Sequence, residues 1–122
     1  PSRDHWLSTG SGLSGVPYSM IFSKNEARVE IYTGRSDKEE NKSIFDSLQL
    51  NQQAIEDCFG DKLEWQRLDT KKGCRIKYSK AIDGYNRENW PEMIAWLAEY
   101  TAKLEKAFSS HIDSAKQQLK QG

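Results

Sequence analysis

Apolar positions along the chain recur with two periods, and the switch between them marks out the elements. Tyr18, Met20 and Phe22 alternate with Ser19, Ile21 and Ser23, the two-residue period of a strand. Ala27, Val29 and Ile31 then alternate with Arg28, Glu30 and Tyr32. The short polar link Lys24-Asn25 between these runs predicts a hairpin. After Gly34 the period changes to three and four. Ile44, Phe45, Leu48, Ile55, Cys58 and Phe59 form one stripe, which predicts a helix over 38–59. Ser36 and Glu39 have capping-box spacing at its start, and Gly60 suits its end.

Period two then returns. Leu63, Trp65 and Arg67 alternate with Glu64, Gln66 and Leu68. Asp69 to Gly73 reads as a turn, and Cys74, Ile76 and Tyr78 alternate with Arg75, Lys77 and Ser79. Asn89 and Pro91 open a last helix whose stripe is Met93, Leu97, Tyr100, Leu104, Ala107, Phe108, His111 and Ile112. Run out to Leu119 it would span about 45 Å. Beyond Ile112 the stripe thins to Leu119, so the last turns are expected to fray or to pack on something further. The fold class expected is α+β: a four-stranded antiparallel sheet in ββαββα order, with two helices on one face and the last one long.

The 122 residues are the size of one domain, expected to span 1–122 with a loop-rich segment over 1–15 and a ββαββα core over 16–119. The Ser/Gly-rich stretch from Ser8 to Gly15 reads as a connector. A phosphate-cradling glycine loop needs a strand before it and a helix after it, and here a strand-like run follows. The apolar fraction is only 36%, but 4 Trp, 5 Tyr and 4 Phe raise the area each buried position removes from water. The chain opens at Pro1 with no initiator Met, the pattern of a processed chain or of a piece of a longer one.

Charge narrows the function. Eighteen basic and eighteen acidic residues cancel, which argues against a dedicated polyphosphate binder while leaving room for a local basic patch. Cys58 and Cys74 are too few for a disulfide framework and read as small buried hydrophobes in a reducing, cytoplasmic compartment. No apolar run approaches the ~20 residues of a membrane span, and no signal peptide is visible.

Catalytic chemistry finds little footing. The Asp-Glu-Lys nuclease pattern needs its acidic-X-Lys triplet on a strand; Glu40-Asn41-Lys42 falls at a helix start and Asp69-Thr70-Lys71 in a turn. A zinc site needs about four closely spaced ligands, and His5, Cys58, Cys74 and His111 are scattered. No catalytic residue, metal or cofactor is assigned. What remains is a basic and aromatic group: Arg67, Lys71, Lys72, Arg75 and Lys77, with Arg28 and Tyr32. If the helices cover one sheet face, Arg28, Tyr32, Arg75 and Lys77 share the other, a composition that binds single-stranded nucleic acid. Glu30, Glu64 and Gln66 belong to that same face, and cross-strand ion pairing accounts for the arrangement with more weight. Trp65 and Trp90 read as core. Trp96 falls off the main stripe of the last helix, as cover for the sheet edge or as a contact surface.

Several segments resemble a known family. They are Arg28-Val29-Glu30-Ile31-Tyr32, Asn41 to Leu48, Ile55-Glu56, Phe59-Gly60, Leu63-Glu64-Trp65 through Leu68-Asp69, and Arg75-Ile76. Asn86 to Trp90, Trp96-Leu97 and Leu104 to Phe108 fit as well. Together they resemble the prokaryotic domain of unknown function 4268. Members of that family often stand C-terminal to nuclease-like or restriction-type domains. The resemblance therefore implies a non-catalytic accessory domain in DNA restriction or defence, and the basic and aromatic face adds weak contact with DNA or RNA as the expected mode of action. It carries no catalytic residues over. Two other readings stand beside it: a protein-interaction or homodimerisation module using the last helix and Trp96, and a hydrolase whose site has no sequence motif.

Overall fold

The computed structural model describes residues 5–121. Its strands are β1 (His5–Thr9), β2 (Tyr18–Phe22), β3 (Glu26–Thr33), β4 (Glu64–Gln66) and β5 (Cys74–Ala81). Its helices are α1 (Lys38–Gln49), α2 (Gln52–Phe59) and α3 (Trp90–Gln121), the last entered through a single 3-10 turn at Arg87–Asn89. The class is α+β with an antiparallel sheet and a long C-terminal helix, as expected. The sheet has five strands rather than four, and the chain order is βββααββα rather than ββαββα.

The extra strand comes from the segment expected to be loop. In His5-Trp6-Leu7-Ser8-Thr9 only Trp6 and Thr9 favour strands, yet the segment pairs antiparallel with β2, Leu7 opposite Met20 and Thr9 opposite Tyr18. The Ser/Gly-rich part is only the β1–β2 connection. There Ser11 Oγ donates to Val16 O at 2.5 Å while Leu13 and Val16 enter the core, so the loop closes on itself.

Across the sheet the order is β1-β2-β3-β5-β4. The chain leaves β3 in the middle, crosses through α1 and α2 to the far edge at β4, and returns as β5 into the gap. The period-two pattern explains the faces. Ala27, Val29, Ile31 and Thr33 of β3 are buried and stand opposite Lys80, Tyr78, Ile76 and Cys74 of β5. On them pack Phe45 and Leu48 of α1, Ile55 of α2, and Leu104, Phe108 and Ile112 of α3. The helices reach as far as β2. Beyond it, β1 keeps Leu7 exposed.

Four local expectations need correcting. The 38–59 helix is broken: Leu50 and Asn51 leave the helical path, Asn51 at φ −108 and ψ 22, and α2 restarts behind them. The stripe steps by seven from Leu48 to Ile55, which a continuous helix satisfies equally well, so periodicity could not show the break. The cap of α1 is Asp37 rather than Ser36, its carboxylate accepting from Glu39 N at 2.9 Å. Cys58 is exposed, and only Cys74 is buried. Trp90 is partly exposed rather than core; its indole N–H donates to Gly84 O at 2.9 Å and Arg87 lies over its ring. The last turns of α3 do pack, on α1: Ala115 is buried, Leu119 half-buried, and Ser47 Oγ donates to Gln118 Oε1 at 3.1 Å.

Candidate functional site

The face of the sheet away from the helices carries the residues singled out for nucleic-acid contact. Strand alternation places Arg28 and Tyr32 of β3 beside Arg75 and Lys77 of β5, with Glu26, Glu30, Glu64 and Gln66 among them. Glu30 is the hub. Only 5% of this residue is exposed, and its carboxylate accepts from Arg28 Nε at 2.8 Å and lies 3.2 Å from Arg75 Nε. The second contact is an ion pair whose angle falls off the hydrogen-bond line. Arg28 also reaches Glu26 at 2.6 Å, and Lys77 stands 3.9 Å from Glu64. The Arg75 guanidinium lies over the Tyr32 ring, 5.6 Å from its centre. With no helix above them, these long side chains lie flat over one another, which buries the stems and brings opposite charges together.

The remaining cations lie elsewhere. Arg67 turns towards α1 and forks onto Asp46 at 2.8 and 3.0 Å, with a further bond to Asp69. The hydrogen bond from Arg67 holds the Asp46 carboxyl below the ordinary carboxylate range. Lys71 and Lys72 are exposed at the β4–β5 turn. The structure thus brings Arg28, Tyr32, Arg75 and Lys77 onto one surface and leaves Arg67, Lys71 and Lys72 at the end of the sheet. Trp96 sits on the helix side, half-buried. Its ring stacks on Tyr78 at 6.0 Å and tilts against Tyr100 at 4.9 Å, beside Phe59.

Three polar side chains to which sequence reasoning assigned no structural role organise the loops. Lys42 is buried on α1, and its ammonium donates to Arg67 O at 2.6 Å, Leu68 O at 2.8 Å and Gly73 O at 2.9 Å. Beside it, buried Asn41 accepts from Arg35 N and donates to Arg35 O and Lys72 O. On α2, Glu56 accepts from Leu63 N at 2.8 Å and from the Trp65 indole at 3.0 Å. Trp65 itself is half-buried between Phe45 and Phe108. An open cleft of about 520 Å³ runs beside Lys42, lined by Lys38, Glu39, Ser43, Asp46 and Arg67. Its arginine and aspartate are engaged with each other and its buried lysine with main-chain carbonyls. Among the described residues no cluster of His, Cys, Asp and Glu is arranged to hold a metal ion, and no helix is long and apolar enough to cross a membrane.

These clamps fall in Asn41 to Leu48, Ile55-Glu56 and Leu63 to Asp69, segments on which the family resemblance rests. The sequence profile described as Domain of unknown function (DUF4268) matches residues 1–112. The chain belongs to that family. No curated protein and no solved structure matches it. The span matched to the DUF4268 family includes Asn41, Lys42 and Glu56, which hold the β3–α1, β4–β5 and α2–β4 connections. The residues with most exposed apolar surface on the sheet, Trp6 and Leu7, lie outside the segments that carried the resemblance. The strand-favouring Trp6 and Thr9 were the only signal, and the adjoining Ser/Gly tract hid it.

Proposed function

We propose that this chain is a non-catalytic accessory module that acts by contact with a protein partner. The setting is the one its family resemblance implies: a prokaryotic, cytoplasmic protein of DNA restriction or defence in which a nuclease-like domain does the chemistry. The observation that carries the reading is the closure of the charge lattice. On the open face Arg28, Arg75 and Lys77 are matched by Glu26, Glu30 and Glu64. Binding a phosphate backbone there would mean breaking buried pairs to make new ones, and a surface without net positive charge lacks the counterion-release term that drives such binding.

Weak nucleic-acid contact is the second reading, favoured by exposed Lys71 and Lys72 at the β4–β5 turn. Fluorescence anisotropy with labelled single- and double-stranded DNA and RNA across a salt series separates the two. The protein-contact reading expects no binding at physiological salt and no change on Arg75→Glu/Lys77→Glu. Micromolar binding that weakens steeply with salt and is lost in Lys71→Glu/Lys72→Glu would replace it with the nucleic-acid reading.

A further inference from the structure

The sheet has two edges, and they are built differently. The β4 edge is three residues long, with Glu64 exposed on it and the Arg67–Asp46 fork beside it. The β1 edge is five residues, His-Trp-Leu-Ser-Thr, with no Lys, Arg, Asp, Glu or Pro. Short length, charge and proline are the usual means of keeping an edge from recruiting another strand, and β1 has none of them. Its two large side chains are also the most exposed aromatic and aliphatic residues of the sheet, Trp6 at 68% and Leu7 at 65%. They point to opposite faces: Trp6 stands opposite Ile21 on the open face, and Leu7 opposite Met20 on the helix side.

That opposition decides what kind of partner fits. A helix laid beside α3 would cover Leu7 and leave Trp6 in water. A nucleic-acid base stacked on Trp6 would leave Leu7. A strand added to the edge reaches both, because main-chain pairing places neighbours on both faces at once.

We propose that β1 pairs antiparallel with β1 of a second copy of this chain, about a two-fold axis through Leu7. The sequence is self-complementary in that register. Leu7 faces the partner's Leu7 and Trp6 faces the partner's Ser8, with no like-charged pair. On the helix side the two leucine side chains meet directly, at about 5 Å between Cβ atoms. On the open face the two Trp6 side chains are diagonal neighbours, roughly 7–8 Å apart at the main chain and within aromatic reach. The product is a continuous ten-stranded sheet with the same patch used on both subunits, a closed two-fold contact. One five-residue strand contributes less than the ~800 Å² per partner of a standard interface, so the dimer is weak and concentration-dependent. The proposal rests on the protein-contact reading above and names its partner.

The test is molecular mass by sedimentation of the whole chain from micromolar to millimolar concentration. The expected result is a monomer–dimer equilibrium that Leu7→Lys weakens roughly tenfold or more. Leu50→Lys, at a still more exposed leucine away from the edge, should leave it unchanged. In a Cys58→Ser background, Leu7→Cys should form a disulfide-linked dimer on mild oxidation and Thr9→Cys should not, since only residue 7 faces its own copy. A strict monomer at millimolar concentration overturns the proposal, as does a dimer indifferent to Leu7→Lys or cross-linked equally through residue 9. A monomer that also binds no nucleic acid removes the second copy alone, whereas salt-sensitive nucleic-acid binding removes the protein-contact reading beneath it.

Discussion

Replacing Lys42 by Met tests how the β4–β5 connection is held. Methionine keeps the length and the apolar stem of the lysine and removes three hydrogen bonds, to Arg67 O, Leu68 O and Gly73 O. A bond from a charged donor contributes about 1.5–3 kcal/mol net, so counting all three in full would give an implausibly large loss. The three carbonyls differ in what they can do afterwards. Arg67 is exposed, so its carbonyl returns to water. Leu68 O keeps its bond from Lys71 N at 2.8 Å. Gly73 is buried, and its carbonyl loses its ammonium partner where water is largely excluded, at a cost of about 1–3 kcal/mol. Methionine also no longer has to desolvate an ammonium, which offsets part of the loss. The expected net destabilisation is about 1–3 kcal/mol, or a Tm lower by roughly 5–10 °C in a chain of this size. Urea unfolding followed by tryptophan fluorescence measures the first, and amide exchange should show residues 67–73 opening well before the sheet. Lys42→Arg should not rescue, because a planar fork cannot aim its donors at three converging carbonyls. A loss below about 1 kcal/mol, or an unchanged exchange rate in that loop, would show that the ammonium is not what holds it.

Three further outcomes follow from the same geometry. Gly73→Ala should destabilise by about 1–3 kcal/mol in a thermal melt, because a Cβ there would run into the Tyr32 hydroxyl and lie 2.8 Å from Thr33 O; an unchanged Tm would mean that the Tyr32 ring moves aside freely. Glu56→Ala leaves Leu63 N and the Trp65 indole without their acceptor, so the indole proton should shift in an amide-type NMR spectrum with a loss of about 1.5–3 kcal/mol, and a stationary indole signal would contradict the bond. Alkaline titration followed by ultraviolet absorbance should find Tyr78, through its hydrogen bond to Asp61, and Tyr18, through burial beside Glu105 and Asp113, both pushed up to about 12. A folded value above the unfolded one means that the stability these groups contribute is complete below about pH 10 and is lost as pH rises towards 12. Asp61→Asn should bring down the Tyr78 transition and leave that of Tyr18.

Much of the fold was legible because one physical rule wrote it. The alternation in 18–23, 27–33 and 74–79 put the right residues on the helix side, and the stripe Met93 to Ile112 put the right face of α3 against them. Signals failed where two structures share a pattern. A stripe stepping by seven cannot tell α1 and α2 from one helix. The β1 strand sets Trp6 next to Leu7 and Ser8 next to Thr9, so it shows no alternation, and its neighbouring glycines spoke more loudly. The open face was legible as a set of residues, since Arg28, Tyr32, Arg75 and Lys77 do lie together. What composition could not supply was the pairing geometry, in which Glu30 draws Arg28 and Arg75 onto itself. The structural role of Lys42, weighed in sequence only as part of an acidic-X-Lys triplet, stayed hidden because its carbonyl partners are brought in from 25 or more residues away.

Those partners show one kind of work done by buried and half-buried polar side chains in this fold. Asn41 ties the β3–α1 loop to the β4–β5 turn, Lys42 gathers that turn, Glu56 fastens the entry to β4, and Trp90 reaches back to Gly84 before α3. Each bonds main-chain groups of a connection, where backbone polar atoms have no ladder to satisfy them and must be met by side chains. Such residues specify loop geometry, and loop geometry is what a sheet with a β3-to-β4 crossover needs. Substitutions among them should therefore lower stability while leaving any contact at β1 intact in the molecules that remain folded. Substitutions at Trp6 and Leu7, already mostly in water, should do the reverse. If instead a clamp substitution such as Asn41→Ala abolished association without lowering the melting temperature, the clamps themselves would be the contact surface, and the division of labour argued for this fold would be the wrong way round.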